Sequence, residues 1–284
     1  MGPKLYKFSG AGNDFVVIDG REGDVSAFRA VPRIEALCRE FKTDGLMILG
    51  QEMPGQAGHD GSSTVMADPD RPSIDFTMEF YNPDGSGGMM CGNGGRCIVA
   101  FADYLGIEPA SGGVFLFRAP DGLHTGEILA RPEDGLWTVR IKMIDVQGIT
   151  PMLGGYFLNT GTRHFVKFVD DVEQVDVDAE GKVLRWDPAF APIGTNVNFV
   201  HVAPDGLHVR TFEKGVEGET LACGTGLTAS AIAAYAAAVI PSEAKESVRL
   251  RARQDWLSVN FTPGADEKFT DVYLTGPARL VEIH

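Results

Sequence analysis

The sequence is poor in cysteine and in basic side chains, and both shortages exclude classes of protein. Four cysteines among 284 residues are too few for a disulfide-rich secreted scaffold, and no Cys-X-X-Cys pair of the zinc-ribbon or thioredoxin type occurs. Lysine and arginine number 25 against 39 aspartates and glutamates, so the net charge of −14 would repel a phosphate backbone or an anionic bilayer. Nucleic acid and membranes are therefore not expected partners.

Long hydrophobic runs are also missing. The longest apolar stretch, Leu221 to Ile240, is rich in alanine and is interrupted by glycine and threonine, which is typical of a buried core helix rather than a membrane span. The first residues contain neither a hydrophobic signal segment nor a small-residue cleavage site. We therefore expect a cytoplasmic protein.

Common nucleotide and metal signatures are absent from the sequence. There is no Gly-X4-Gly-Lys-Ser/Thr loop and no His-Glu-X-X-His motif, and Phe15 occupies the place of the third glycine after Gly10 and Gly12 in a dinucleotide fingerprint. The six histidines are scattered along the chain. We predict neither a metal site nor a cofactor.

Hydrophobic periodicity predicts many short strands and three helices, the helices at residues 32–41, 94–105 and 226–239. Residues 50–72 are polar and aperiodic, which predicts a long loop or insertion. Because strands flank one apolar helix in each half, the pattern favours two similar α+β halves over a regular βαβ array. The predicted strands are residues 5–8, 15–18, 74–81, 114–117, 126–130, 136–143, 156–159, 164–169, 197–202, 207–211, 248–252, 257–261 and 271–280.

One sequence pattern occurs in both halves. Residues 80–94 and 212–226, aligned on Cys91 and Cys223, each have a phenylalanine at the same distance upstream, a glycine-containing loop, and Cys-Gly-Asn/Thr-Gly at the start of an apolar helix. The two cysteines are separated by close to half the chain. Each half is therefore predicted to present one thiol at a helix start.

A helix start suits a reactive thiol. Its unbonded backbone N–H groups and positive dipole end lower a thiol's pKa and bind a carboxylate, and glycine lets the backbone approach a ligand closely. If the halves face one another, two thiols can flank one carbon, one thiolate removing a proton and the opposite thiol returning one. The paired helix starts would then stabilise the charge that develops on the carboxylate.

The alternative is that these cysteines are structural. A lone cysteine in a reducing compartment is usually a small buried hydrophobe. That interpretation suits Cys38, on the apolar stripe of the first helix, and Cys97, more than one turn inside the second. The repeated setting of Cys91 and Cys223 favours a catalytic pair instead.

At these residues the sequence resembles the diaminopimelate epimerases, a family of cofactor-independent amino-acid epimerases. The match spans nearly the whole chain, and its motifs are highly specific only when taken together. Proline racemases share Cys-Gly-Thr-Gly, but Gly-His follows their first cysteine. The motifs that carry the resemblance are Gly10-Ala11-Gly12-Asn13-Asp14-Phe15, Asn82-Pro83-Asp84-Gly85-Ser86, Cys91-Gly92-Asn93-Gly94-Gly95-Arg96-Cys97, Gly194-Thr195-Asn196-Val197-Asn198-Phe199 and Gly218-Glu219-Thr220-Leu221-Ala222-Cys223-Gly224-Thr225-Gly226.

The resemblance implies a role for each of several residues, with Cys91 and Cys223 as the acid/base pair. Taken alone, the asparagines fit ordinary turn chemistry, His164 a hydrogen-bonded strand histidine and Lys214 a surface charge. The other implied roles are backbone N–H groups of Gly92, Asn93, Gly224 and Thr225 for the α-carboxylate, Glu213 and Asn82 for the α-amine, Asn13, Asn82, Asn196 and Lys214 for the distal end of the substrate, and His164 with Glu213 to bias thiol protonation.

The resemblance also implies an architecture. It is an α+β fold of two pseudo-symmetric domains, each a mainly antiparallel sheet wrapped around a central buried helix. We expect residues 1–143, joined by residues from about 275 to 284, to carry Cys91, and residues 144–274 to carry Cys223. A homodimer is a further implication of the resemblance.

Three residues depart from the family pattern. The family usually has Glu-Arg-Gly where this chain has Glu213-Lys214-Gly215, and Gly-Asn-Pro-His where it has Gly161-Thr162-Arg163-His164. The point charge of lysine does not reproduce a bidentate arginine. We expect these changes to affect the distal pocket and to leave the thiols untouched, with Arg163 a candidate to replace the missing guanidinium.

Three functions follow as hypotheses. The first is interconversion of LL- and meso-diaminopimelate, in lysine and peptidoglycan biosynthesis, with a small amino-acid substrate as partner. The second is cofactor-independent racemisation of another amino acid in an altered distal pocket. The third is a non-catalytic amino-acid-binding module of the same fold.

Overall fold

The computed structural model describes residues 2–51, 73–87, 90–110, 112–131, 134–241 and 247–284. The chain divides into two units, which we call unit 1 and unit 2. Unit 1 is Met1–Ile141 together with Ala278–His284, and unit 2 is Lys142–Pro277.

The described residues of unit 1 form two α-helices, α1 (Val31–Phe41) and α2 (Gly92–Tyr104), and a short 3-10 helix at Ser26–Arg29. A Pro in the first turn of α1 and a left-handed Lys42 after it mark the two ends of that helix. The strands are β1 (Leu5–Gly10), β2 (Asn13–Asp19), β3 (Leu46–Gly50), β4 (Phe76–Tyr81), β5 (Val114–Ala119), β6 (Gly122–Ala130) and β7 (Leu136–Lys142).

The strands of unit 1 are hydrogen-bonded in chain order from β1 to β7. The pairs β2–β3 and β4–β5 are parallel, because their connections cross over through α1 and α2, and the other neighbouring pairs of β1–β7 are antiparallel. The end of a last strand, β16 (Phe269–Ile283), lies between β7 and β1, with Leu280 opposite Phe8. The strands of unit 1 therefore close into a barrel.

Helix α2 belongs to the core of unit 1. Its residues 93–102 are buried, and it packs against β1, β2, β3 and β6. In its first turns Met90 occupies the space beside Gly95, where a Cβ would lie 2.7 Å from Met90 Sδ. Because no residue from 93 to 102 faces water, this stretch of the helix has no polar, solvent-exposed face.

Unit 2 contains α3 (Val177–Arg185) and α4 (Gly224–Ala236), with 3-10 helices at Val172–Gln174 and Pro188–Phe190. The side chain of Asp176 begins α3 by accepting from the N–H of Ala179 at 3.0 Å. The strands before β16 are β8 (Ile149–Met152), β9 (Gly155–Asn159), β10 (Arg163–Phe168), β11 (Asn196–Ala203), β12 (Gly206–Glu213), β13 (Gly218–Thr220), β14 (Val248–Arg251) and β15 (Trp256–Pro263).

The strand order of unit 2 is β8-β9-β10-β11-β12-β14-β15-β16, and β13 pairs with β12. The parallel pairs are β10–β11 and β12–β14, whose connections contain α3 and α4. Just before β8, Val146 exchanges two backbone hydrogen bonds of 2.8 Å with Phe269 at the start of β16. In both units, the helix that follows Cys-Gly-X-Gly thus connects two parallel strands.

Helix α4 is buried over residues 226–234 and packs against strands β9 to β12, β14 and β15. Its two buried hydroxyls are satisfied within the helix: Thr228 Oγ1 donates to Gly224 O at 3.0 Å and Ser230 Oγ to Gly226 O at 2.8 Å. The polar residues that interrupt the apolar stretch are therefore compatible with a core helix. No helix in the described part of the chain is long and apolar enough to cross a bilayer.

The sequence predictions are confirmed for the existence of the three helices and for the strand character of each predicted strand segment. The starts of two helices are corrected, because α2 begins at Gly92 rather than residue 94 and α4 at Gly224 rather than residue 226. The predictions missed β3, β8, β13 and α3. The predicted long loop lies outside the described residues from position 52 to position 72.

Candidate active site

Cys91 lies immediately before the first turn of α2. Its backbone is extended, with φ −81° and ψ 131°, and the N–H of Gly95 donates to its carbonyl at 2.7 Å. The N–H groups of the first turn, from Gly92 onward, have no acceptor within the helix, and N–H groups in this position can bind an anion. The prediction that Cys91 stands at a helix start is confirmed.

A buried arginine orients two asparagines next to Cys91. Arg96 lies one turn inside α2 without exposed surface, and its Nη2 donates to Asn93 Oδ1 at 2.8 Å. Asn93 Nδ2 donates in turn to Asn13 Oδ1 at 2.5 Å. Because Asn13 accepts through its oxygen, its Nδ2 group is left to donate in another direction.

The turn between β1 and β2 approaches α2 closely. A Cβ on Gly10 would lie 2.8 Å from both Asn93 O and Cys97 Sγ. Ala11 and Gly12 both have positive φ, 55° and 91°, as a two-residue type I′ hairpin turn requires. Glycine at position 10 and this tight turn bring Asn13 beside the start of α2.

The two remaining cysteines lie in the core. Cys97 has no exposed surface and Cys38 on α1 is 4% exposed. Burial raises the pKa of both thiols, so both stay protonated at neutral pH. The prediction that Cys38 and Cys97 are core residues is confirmed.

Asn82 begins a tight turn after β4. Its N–H donates to Ser86 O at 2.7 Å and its Nδ2 to Ser86 Oγ at 3.0 Å, while Asp84 accepts from the N–H of Ser86 at 2.9 Å. Asn82 is exposed. Its contacts in unit 1 are those of a turn, and they do not join it to the Asn93–Asn13 pair.

Cys223 occupies the same position before α4. Its backbone is extended, with φ −118° and ψ 107°, and the N–H of Leu227 donates to its carbonyl at 2.9 Å. The residue is 8% exposed, and the hydroxyl of Thr225 lies 3.4 Å from its Sγ. The helix-start prediction is confirmed for this cysteine as well.

His164 connects Thr225 to strand β10. Its Nε2 lies 3.0 Å from Thr225 Oγ1 and 2.9 Å from Thr162 Oγ1. Burial lowers the pKa of His164 to about 3, so its imidazole is neutral at physiological pH. His164 therefore reaches Cys223 through a hydroxyl and carries no charge toward it.

Asn196, at the start of β11, links two loops of unit 2. Its Nδ2 donates to Arg163 O at 2.9 Å, and its Oδ1 accepts from the N–H of Lys214 at 2.7 Å. Asn196 thus fixes the backbone of the turn that follows β12. Lys214 lies in that turn, next to Glu213.

Glu213 is the last residue of β12. Burial raises the pKa of its carboxyl group. Its carbonyl accepts from the N–H of Glu217 at 2.8 Å, and the carboxylate of Glu217 accepts from Arg185 Nε at 3.3 Å. Arg185 also donates to Ile193 O at 3.0 Å, so it ties the turn after β12 to the loop that precedes Asn196.

The structure places two of the residues that depart from the family pattern, Arg163 and Thr162. Arg163 stacks over Phe157 at 5.1 Å and donates to Phe190 O at 3.2 Å, on the face of β10 opposite His164. This placement gives no support to the expected compensation for a missing guanidinium. Thr162 Oγ1 lies 3.4 Å from Thr225 Oγ1, so Thr162 adjoins the residue whose hydroxyl lies next to Cys223 Sγ.

The structure groups most of the predicted residues around the thiol of their own unit. Arg96 and Asn198 were not predicted as site residues. Asn198 Nδ2 lies 3.1 Å from His164 Nδ1 and is fully buried. The alternation Asn196-Val197-Asn198 could have identified it, because a buried asparagine inside an apolar strand needs polar partners. Around Cys91 lie Asn13, Gly92 and Asn93, and around Cys223 lie His164, Gly224 and Thr225, with Asn196 and the Lys214 backbone adjoining.

Metal ligands are not grouped in the described residues: no three histidine, cysteine, aspartate or glutamate side chains among them could hold an ion.

Solved structures show the class of fold to which the chain belongs. A PhzF-family phenazine biosynthesis protein from Bacillus anthracis matches with a TM-score of 0.69 at 12% identity, covering 100% of this chain and 99% of that one. A hydroxyproline epimerase from Agrobacterium vitis matches with a TM-score of 0.60 at 16% identity, covering 99% and 91%. At such identities the likeness shows the fold alone, a sheet-rich two-domain fold.

Sequence relatives narrow the class to a family. Residues 5–111 and 156–281 match the family profile described as diaminopimelate epimerase. The diaminopimelate epimerase of Flavobacterium psychrophilum is 37% identical over 282 residues, which are 98% of each chain. That of Chlorobaculum tepidum is 37% identical over 283 residues, 96% of this chain and 97% of the relative. The chain belongs to the diaminopimelate epimerase family.

Proposed function

We propose that this protein is an isomerase that interconverts LL- and meso-2,6-diaminopimelate, a step of lysine and peptidoglycan biosynthesis. The observation that carries the proposal is the matched position of Cys91 and Cys223, each at the extended residue before a Gly-X-Gly helix start, in a chain of this family. A structural role in the core does not explain why a cysteine precedes the helix start in both units.

The proposed reaction is a two-base proton exchange. One thiolate takes the α-proton, and the electron pair left on the α-carbon is delocalised into the α-carboxylate. The other thiol then gives its proton to the opposite face of the carbon, which inverts the centre. The first sulfur ends protonated and the second ends as a thiolate, so the reverse reaction uses the same pair in exchanged roles.

The α-carboxylate would be bound by the backbone N–H groups at the two helix starts. These donors are preorganised, and they become more favourable as negative charge develops on the carboxylate. Gly92 and Asn93 would supply them in unit 1, and Gly224 and Thr225 in unit 2. Glu213 and Asn82 would hold the α-amine, and Asn13, Asn82, Asn196 and Lys214 the distal end.

We further propose that the two units are pseudo-symmetric domains, each a mainly antiparallel sheet wrapped around α2 or α4. Residues 1–143 with about 275–284 would carry Cys91, and residues 144–274 would carry Cys223. The support is the common order of a parallel pair across a first helix and a second parallel pair across the cysteine-led helix. A cytoplasmic location, a homodimer and catalysis without a cofactor complete the proposal.

The second candidate function is racemisation of another amino acid. Lys214 and Thr162 favour it, because both replace residues that the family pattern places in the distal pocket. A binding module without catalysis is the third possibility, and the same experiment separates all three.

The test is α-deuterium incorporation in D2O, followed by mass spectrometry and chiral chromatography. LL- and meso-diaminopimelate should each acquire deuterium and reach the same mixture of isomers. Exchange with another amino acid from a panel, and none with diaminopimelate, would establish the second function. Binding without exchange of any panel member would establish the third and end the two-base proposal.

A further inference from the structure

Cys223 stands at one end of a hydrogen-bonded series of side chains in unit 2, of which Asn198 and His164 are fully buried and Thr162 and Thr225 half-buried. The series runs from β11 through β10 to the first turn of α4. A Cβ on Gly226 would lie 2.3 Å from Asn198 Oδ1, so glycine at that position is what allows the helix start to rest directly on this asparagine.

The amide orientation of Asn198 is fixed by two of its neighbours. Its Nδ2 lies 3.2 Å from the carbonyl oxygen of Phe165, a group that can only accept, and its Oδ1 accepts from Thr211 Oγ1 at 3.0 Å. Nδ2 is therefore the group that faces His164 Nδ1 at 3.1 Å. Because Nδ2 can only donate, Nδ1 of the imidazole must carry a lone pair.

A neutral imidazole with a lone pair on Nδ1 carries its proton on Nε2. That N–H lies between the hydroxyls of Thr162, at 2.9 Å, and Thr225, at 3.0 Å. His164 is thus a donor toward the thiol side of the cluster.

A second asparagine, Asn196, also donates a hydrogen bond to Thr162. Asn196 is oriented by the N–H of Lys214 on its Oδ1 and the carbonyl of Arg163 near its Nδ2, and Nδ2 also donates to Thr162 Oγ1 at 3.2 Å. With donors from His164 and Asn196 around it, Thr162 directs its own proton to Thr225 Oγ1, 3.4 Å away. The hydroxyl proton of Thr225 is then directed to Cys223 Sγ, at 3.4 Å.

We propose that Asn198 is a positioning residue that holds His164 in the Nε2–H tautomer, so that the hydroxyl of Thr225 donates to the sulfur of Cys223. A donor on sulfur favours the thiolate. His164 then supports the thiolate as a neutral donor at the end of a series, and not as a base. The relevance for catalysis rests on the proposed function, but the tautomer and the donation do not.

The first test reads the tautomer directly. Long-range ¹H–¹⁵N spectra of protein labelled in histidine distinguish the two neutral forms, and a His164→Gln variant assigns the signal. We expect the Nε2–H form in the wild type at neutral pH. Asn198→Asp places a carboxylate against Nδ1 and should switch His164 to a form protonated at Nδ1. An Nδ1–H wild type, or an unchanged tautomer in Asn198→Asp, would overturn the proposal.

The second test measures whether the hydroxyl of Thr225 donates a hydrogen bond to the sulfur of Cys223. The rate at which iodoacetamide alkylates Cys223 is followed by peptide mass spectrometry at neutral pH. Thr225→Val should react about five- to tenfold more slowly than wild type, the effect of one lost hydrogen bond, and Thr225→Ser should restore the rate. The matched control is Thr160→Val, because Thr160 Oγ1 donates to Thr225 O at 2.9 Å and sends no proton toward the sulfur.

Equal alkylation rates in Thr225→Val and wild type would refute the donation to sulfur. The wild-type tautomer needs no variant, so the proposal stays testable if Asn198→Asp fails to fold. Neither readout uses a substrate, and failure here is therefore distinguishable from failure to exchange deuterium into diaminopimelate.

Discussion

The starts of α2 and α4 have the same backbone and different chemical surroundings. Both begin with Gly-X-Gly directly after an extended cysteine. Behind Cys91 lies a buried guanidinium that orients two amides, whereas behind Cys223 lie hydroxyls and a neutral imidazole.

The strands beneath these helices differ in the same way. A Cβ on Gly94 would lie 3.2 Å from the sulfur of Met47 on β3, whereas its counterpart at Gly226 would meet the amide of Asn198 on β11. The comparison teaches that the repeat preserves the position of the thiol but not the side chains around it. The two thiols of the proposed pair are therefore not chemically equivalent.

Removing either sulfur should have the largest effect. Cys91→Ser and Cys223→Ser should each lower the rate of α-proton exchange by about a thousandfold or more, because a serine hydroxyl is a far weaker acid and base at neutral pH. The matched control is Cys38→Ala, which removes a thiol buried on α1. If one serine variant retained the wild-type exchange rate, that cysteine would be structural and only the other would take part in proton exchange.

Replacing Arg96, the buried arginine of α2, should destabilise unit 1. Arg96→Leu leaves Asn93 Oδ1 without its donor and should lower the free energy of unfolding by about 2 to 4 kcal/mol, measured by urea denaturation. Arg96→Lys should recover little of it, since an ammonium lacks the guanidinium fork. The control is Arg39→Leu on the exposed face of α1. A loss as small as that of the control would mean that Arg96 does not orient the asparagines.

Acid should act on unit 2 through His164. Its pKa is about 3 in the folded protein and 6.5 in an unperturbed side chain, so the unfolded chain binds the extra proton first. The contribution of neutral His164 to the free energy of unfolding is fully present above pH 6.5 and is lost as the pH falls from there toward about 3.

The expected result is that His164→Gln removes this part of the acid dependence from urea denaturation curves. The exposed His284 offers the matched substitution His284→Gln, which should leave the dependence unchanged. Identical pH dependence in wild type and His164→Gln would contradict a buried neutral imidazole.

The smallest expected effect concerns the distal pocket. Lys214→Arg restores the guanidinium of the family pattern and should lower KM for diaminopimelate about three- to tenfold with little change in kcat. Lys182→Arg on α3 is the matched control. A higher KM for diaminopimelate, with a lower KM for another amino acid, would instead identify a shifted specificity.

Much of the local structure follows from the sequence. Alternation within residues 136–143 and 207–211 and the helical stripe ending at Phe41 gave elements that the structure contains, and the repeat around Cys91 and Cys223 placed both thiols at helix starts. The starts of α2 and α4 were less predictable, because the low helix propensity of glycine makes Cys-Gly-X-Gly typical of a loop. Its glycines become helical because the helices that they begin are packed against the strands of their own unit.

The rest of the site depends on pairing between distant strands. That Asn198 meets His164 follows from the parallel pairing of β10 with β11 across α3, a helix that the sequence predictions missed. The close approach of Gly10 to Cys97 likewise depends on how a hairpin packs on α2. Neither contact has a signature in a single segment of sequence.

Strand β16 gives the chain a particular order of assembly. Residues 278–283 complete the barrel of unit 1, between β7 and β1, yet they follow every residue of unit 2 in the chain. During synthesis from the N-terminus, β1 and β7 therefore leave the ribosome with an unfilled gap between them, and their exposed edges persist while all of unit 2 is made. The unit that is translated first is the one that is finished last.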